Sequence, residues 1–233
     1  MRLDKFIAQE FSLSREKASM LIKKGKVKIN TKVIFKPSFE VGDKGDVELQ
    51  ERFIFVSRAG EKLYNFLGDI RLDGKKIIDV GSSTGGFSQV CLLLGACEVH
   101  CVDVGDNQLD ISLRQDSRIK VFEKCDIRDF KKQYDYDLLV CDLSFISIEK
   151  IFMSLKSLSK EMILLFKPQF EVGRNVKRNK KGVVMDNIAI ENALKSFKKY
   201  LLLQEYEILK ECKSTLKGKA GNEEFFFHIK RKD

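Results

Sequence analysis

The sequence predicts an α/β protein: a mostly parallel seven-stranded sheet with helices on both faces, preceded by a small α+β unit. Three observations carry that prediction. From about residue 76 onward, short apolar runs alternate with stretches of helical period, the pattern of a parallel sheet with helical crossovers. The first of these runs ends in a glycine-rich turn, Gly81 to Gly86, that leads into a helical stretch. Before residue 50 the rhythm differs, with two helical stretches followed by short alternating strands.

In the first unit, Leu3, Phe6 and Ile7 form one apolar helical face. Ser14 can cap a second helix that buries Ala18, Leu21 and Ile22 and stops at Gly25. The segment "KVKINTKVIF" then alternates apolar and polar residues about Asn30-Thr31, which reads as a hairpin. A connector, "QERFIFVSRAG", leads to strands expected near 76–81, 98–104, 119–125, 136–142 and 161–167, with helices near 85–95, 107–115 and 147–158 between them. A helix near 187–201 and strands near 204–213 and 223–229 complete the pattern, and no internal repeat is visible.

The chain of 233 residues is 43% apolar and 33% charged, as expected of a soluble globular protein that needs no staples. Its formal charge of +9 points to a polyanionic partner. That charge is uneven: residues 1–36 hold ten Lys or Arg against Asp4, Glu10 and Glu16. No secretory signal is read at the start, and no apolar run approaches the ~18 residues of a membrane helix, so a cytoplasmic location is expected. Six scattered cysteines without a C-x-x-C pair, and only His100 and His228, read as reduced thiols rather than disulfides or a metal site.

A glycine-rich turn between strand and helix lets the backbone approach a ligand closely. Here the loop is G-x-x-x-G-G with Asp79 before it, not the G-x-G-x-x-G of dinucleotide folds. Ligands of such sheets bind beyond the carboxyl ends of the strands, and three of those ends carry an acid: Asp103, Asp126 and Asp142. Asp103, 22 residues beyond Gly81, is placed to accept the hydroxyls of a ribose. A nucleoside cofactor without a pyrophosphate suggests S-adenosyl-L-methionine.

Two resemblances sharpen this reading. Residues 1–49, with "SREKASMLIKKGKVKIN" and "KPSFEVGD", resemble the S4-type RNA-binding domain, departing from it at Thr31, where that family commonly has glycine. The motifs "SRAGEKL", "DVGSSTGGF", "DVGDNQL", "DLSFIS", "KPQFEVG", "KGVV" and "GNEEFF" occur in the order seen in the TlyA family of hemolysin-A-like ribosomal RNA 2′-O-methyltransferases, and the likeness spans essentially the whole chain. It implies an S4-type domain over residues 1–50, a linker over 51–57 and a Rossmann-like class I methyltransferase domain over 58–233. It further implies cofactor contacts from Asp79, Gly81, Ser83, Thr84, Gly85, Gly86 and Phe87, with Asp103 on the ribose and Asp126 at the adenine end. The partner implied is ribosomal RNA or ribosomal subunits, with no stable membrane insertion and no metal. Arg2, Arg15, Lys23, Lys24, Lys26 and Lys28, and the later loop with Arg174, Lys177, Arg178, Lys180 and Lys181, are the expected phosphate contacts. That loop is expected to be mobile and to order on RNA.

The stretch "EMILLFKPQFEVG" places Lys167 at the mouth of a buried strand. Snorkelling to water is the bland explanation. The resemblance instead implies a catalytic set of Lys62, Asp142, Lys167 and Glu224, in which Lys167 handles the proton of a 2′-hydroxyl. An ordinary lysine, with a pKa near 10.4, stays charged at neutral pH, so this reading expects burial or neighbouring cations to perturb it. Rival readings are methylation of a base nitrogen, because "DLSF" resembles the "(D/N)PP(Y/F)" loop, a membrane-active hemolysin, and a catalytically silent RNA-binding factor.

Overall fold

The computed structural model describes residues 1–11, 13–42, 46–50 and 54–232. They form two compact units, Met1–Ile54 and Phe55–Asp233. Of the expected connector, residues 51–53 lie outside the described residues, as does Asp43 of the "KPSFEVGD" motif.

The first unit contains α1 (Leu3–Glu10), α2 (Arg15–Lys23), β1 (Val27–Ile29), β2 (Lys32–Val33) and β3 (Val47–Leu49). Leu3 and Ile7 of α1 pack against Ala18 and Ile22 of α2 and Val27 of β1, all fully buried. Ser14 Oγ accepts a hydrogen bond from Lys17 N at 3.2 Å, capping α2 as its side chain predicts. β1 lies between β2 and β3, antiparallel to both. The residue that turns left-handed in the hairpin is Asn30, at φ 54°. Asparagine tolerates that conformation, so the following position does not need glycine and Thr31 fits.

The second unit contains α3 (Arg58–Leu67), β4 (Lys76–Val80), α4 (Gly86–Leu93), β5 (Glu98–Val102), α5 (Ile111–Arg114), β6 (Ile119–Phe122), β7 (Leu138–Cys141), α6 (Ile148–Lys156), β8 (Glu161–Phe166), α7 (Pro168–Glu171), α8 (Asn187–Leu203), β9 (Tyr206–Lys213) and β10 (Phe225–Arg231). Its sheet has the order β6-β5-β4-β7-β8-β10-β9, with the first five strands parallel and β10 antiparallel to both neighbours. Alternation along the strands splits the core in two. Ile77, Val99, Val140 and Leu165 face Leu63, Phe66 and Val90 of α3 and α4. Ile78, Val102, Leu139 and Leu164 face Ile151, Phe152, Phe197 and Leu201 of α6 and α8. With both faces covered, the central strands read as continuous apolar runs.

Two stretches differ from the sequence expectation. The helix expected near 107–115 shrinks to one turn, because Asn107 is left-handed at φ 51° and Asp110 caps Ser112 N at 3.0 Å. The connector is not all connector: α3 begins at Arg58, and Phe55 and Val56 pack against the core of this unit.

Candidate active site

The site lies beyond the carboxyl ends of β4, β5, β7 and β8. Gly81 ends β4 at φ 80°, and a side chain there would press to 2.9 Å from Asp142 O. Gly85, at φ 88°, opens α4. Gly86 has a further duty, since a Cβ on it would come within 2.1 Å of Ser57 Oγ and 2.7 Å of Gly60 N. The first turns of α3 and α4 therefore touch backbone to backbone, and only glycine fits at both 60 and 86.

Ser83, Thr84, Gly86 and Phe87 line one pocket together with Asp142 and Lys167. A second pocket extends past Gly81 to Asp103, Asp126, Ile127 and Phe145. Asp103 is anchored by two backbone donors, Ser83 N at 2.8 Å to one oxygen and Gly105 N at 2.7 Å to the other. Asp126 reaches the same pocket in a forked ion pair with Arg128, at 2.9 and 2.6 Å, which holds its carboxyl down to about 2.

Asp79 takes a different place from the one expected. It lines neither pocket: its fully buried carboxyl turns back to accept from Ser88 N at 2.9 Å and Ser88 Oγ at 2.5 Å. Burial pushes it up to about 7, and the charges of Asp142 and Asp103 add to that. It fastens α4 to the sheet from behind the loop.

The four residues of the expected catalytic set form two ion pairs. Lys167 Nζ stands 2.5 Å from Asp142 Oδ1 and donates to Ser144 Oγ at 3.1 Å. Asp142 Oδ1 is itself buried, and the Lys167 ammonium is the cation that faces it. Lys62, on α3, donates to Glu224 Oε2 at 2.6 Å, with both side chains almost fully buried. Phe225 pairs with Phe166, so Glu224 and Lys167 follow each other at the same end of adjacent strands. Pro168 at the start of α7 turns the chain away immediately after Lys167.

Sequence reasoning missed Ser57, Ser82 and Ser144 in the pocket wall, because lone serines carry no periodic signal. Three of the expected phosphate contacts have partners inside the chain. Arg2 and Arg15 both converge on buried Asp4, at 2.8 and 3.3 Å, which holds that carboxyl down to about 2. Arg178 folds back onto four carbonyls, those of Gly173, Val176, Gln169 and Arg174, at 2.7, 2.8, 3.2 and 3.2 Å. Asn222 holds the far side of that loop, accepting from Val184 N at 2.9 Å and donating to Gly182 O at 3.3 Å. The loop is thus an internally bonded structure before any RNA arrives, while Arg174, Lys177, Lys180 and Lys181 point outward. In the first unit Lys23 and Lys24 are exposed and Lys26 and Lys28 half-buried.

With this geometry in place, comparison with known proteins decides the family. Residues 55–231 match the FtsJ-like methyltransferase model, and residues 1–47 match the S4 domain. The chain belongs to the FtsJ-like methyltransferase family. The methyltransferase is 40% identical to the 23S rRNA (cytidine-2′-O)-methyltransferase TlyA of Campylobacter jejuni, across 98% of each chain. It is 35% identical to the 16S/23S rRNA (cytidine-2′-O)-methyltransferase TlyA of Mycobacterium tuberculosis, covering 93% of this chain and 84% of that one. A solved structure from Streptococcus thermophilus that carries a hemolysin designation superposes with a TM-score of 0.74 at 30% identity, covering 100% of this chain and 89% of that one. Among the described residues no helix is long and apolar enough to cross a membrane, and no three His, Cys, Asp or Glu cluster as a metal site.

Proposed function

We propose that this methyltransferase moves a methyl group from S-adenosyl-L-methionine to the ribose 2′-hydroxyl of a cytidine in ribosomal RNA. The relatives named above support the reaction, and the Lys167–Asp142 pair beside the glycine loop is the observation that carries it for these residues.

The residues present fit the cofactor. Gly81 and Gly85 leave a bare loop where a Cβ would intrude, and Asp103 keeps lone pairs free for a ribose after accepting its two backbone bonds. Ser83, Thr84, Gly86 and Phe87 face the reacting end, with Asp126 toward the base. When bound, the cofactor supplies a methyl on a sulfonium that is already electrophilic. The chain must then hold a 2′-oxygen in line and manage one proton. The Asp142 carboxylate lines this pocket with its Oδ1 held against Lys167 Nζ, and it takes up the proton that the hydroxyl gives up. Lys167 offsets the negative charge that develops on the oxygen. Lys62 and Glu224 tie α3 to the start of β10, next to the strand end that carries Lys167, and so hold the wall of the site in place.

Phosphates of the RNA meet the exposed lysines of the first unit and of the 174–181 loop, contributing affinity that falls with salt. The test uses purified protein, methyl-tritiated cofactor and separated ribosomal subunits or free rRNA. A 2′-O-methyl blocks alkaline cleavage, so the expected result is tritium at one resistant cytidine linkage. Tritium on a base in an RNA that cleaves everywhere would establish base-nitrogen methylation instead.

A further inference from the structure

The first unit contains an aromatic ring that its own packing does not use up. Phe35 follows β2 and is 63% exposed, the most exposed large apolar side chain among the described residues of this unit. It is not a free-swinging surface residue. The ring sits on Gly25, where an added Cβ would lie 2.7 Å from Phe35 Cε1, 3.1 Å from its Cζ and 3.3 Å from Val33 Cγ1. Gly25 is left-handed at φ 70°, directly after the C-cap of α2, so this position needs glycine both for its backbone and for the space above it. A glycine floor fixes the ring, and most of the ring stays in water.

Cations surround it in the chain. Lys23 and Lys24 precede Gly25 and Lys26 follows it, while Lys32 lies at the start of β2 and Lys36 follows Phe35. Lysines give a nucleic acid its phosphate contacts, but an apolar ring among them gains little from water. An unpaired base offers that ring a flat apolar partner, while the phosphates on either side of the base can meet exposed Lys23, Lys32 and Lys36. We propose that Phe35 is a stacking platform for an unpaired nucleobase of the RNA. This deepens the RNA-binding reading of the first unit and rests on it. Stacking is tolerant of base identity, so the platform contributes affinity and orientation rather than sequence choice.

The experiment measures binding of the full-length chain to deproteinised ribosomal RNA by filter retention across a series of KCl concentrations. Phe35→Ala is expected to weaken binding about tenfold. The slope of log affinity against log salt is expected to stay unchanged, because no phosphate contact is lost. Phe35→Trp keeps wild-type affinity. Phe35→Leu still covers Gly25 but has no aromatic face, and is expected to lose as much as Phe35→Ala. Lys28→Ala serves as the contrast, since it lowers the slope. Wild-type binding by Phe35→Leu would overturn the proposal by showing that the side chain only covers the glycine, and a lowered slope for Phe35→Ala would overturn it as well. A wild-type chain that fails to retain RNA at any salt would overturn the RNA reading itself, a failure seen before any variant is compared.

Discussion

Each unit buries an aspartate, and the two are held in opposite ways. Asp4, in the first, is 4% exposed and gripped by Arg2 and then Arg15, which hold it down to about 2. Asp79, in the second, is fully buried and accepts from the hydroxyl and backbone of Ser88, and burial raises it to about 7. The contrast separates two uses of charge. The first unit pairs its internal acid with surface guanidiniums and carries exposed cations such as Lys23, Lys32 and Lys36, so its electrostatics answer to salt. The second unit takes ions out of water beside the strand ends and α3, where Lys62–Glu224 and Lys167–Asp142 are held at 2.6 and 2.5 Å. There the charges are fixed in geometry, which is what a reaction that aligns two groups requires.

The largest effect should come from breaking a buried pair. Lys62→Met leaves Glu224 as an uncompensated charge and should cost about 3–5 kcal/mol in urea unfolding. Adding Glu224→Leu should recover most of that stability while methyl transfer stays lost. A double variant as unstable as the single one would mean that the pair is not an isolated electrostatic unit.

The two aspartates should respond to pH with opposite sign. Asp79 has a raised folded pKa, so its contribution is fully present below its ordinary value of 3.8 and is lost as pH rises through about 7. Asp79→Asn should therefore melt a few degrees above wild type at about pH 8 and converge with it near pH 4. Asp4 has a depressed pKa, so its contribution is present above 3.8 and is lost as pH falls through about 2. Arg2→Ala should narrow that acid window, as read from the melting of the first unit. The smallest effect belongs to the exposed cations: Lys23→Ala should lower the salt slope of RNA binding by about 1 with little change in stability.

Much of this was legible in the sequence, because the central strands of the sheet announced themselves as short apolar runs. Strands expected near 161–167 and 204–213 are found at Glu161–Phe166 and Tyr206–Lys213. The last strand starts two residues late, since Asn222 turns aside to hold Val184 and Gly182. The four ionic residues, three at strand ends and Lys62 on α3, were named from motif resemblance, and they meet as two pairs. What stayed hidden depends on side-chain direction rather than residue type. Arg178 looked like another phosphate contact in a basic run, yet its guanidinium serves four carbonyls of its own loop. Asp79 preceded the glycine loop like a ligand and turned inward to Ser88. A periodicity of apolar residues carries no information about such turns.

Lys167→Ala, measured in parallel for cofactor binding by calorimetry and for tritium transfer to ribosomal RNA, probes the site most directly. Cofactor affinity should stay close to wild type while turnover falls by about 10²–10⁴-fold. Near-normal turnover with intact cofactor binding would contradict the role given to the lysine at the mouth of β8.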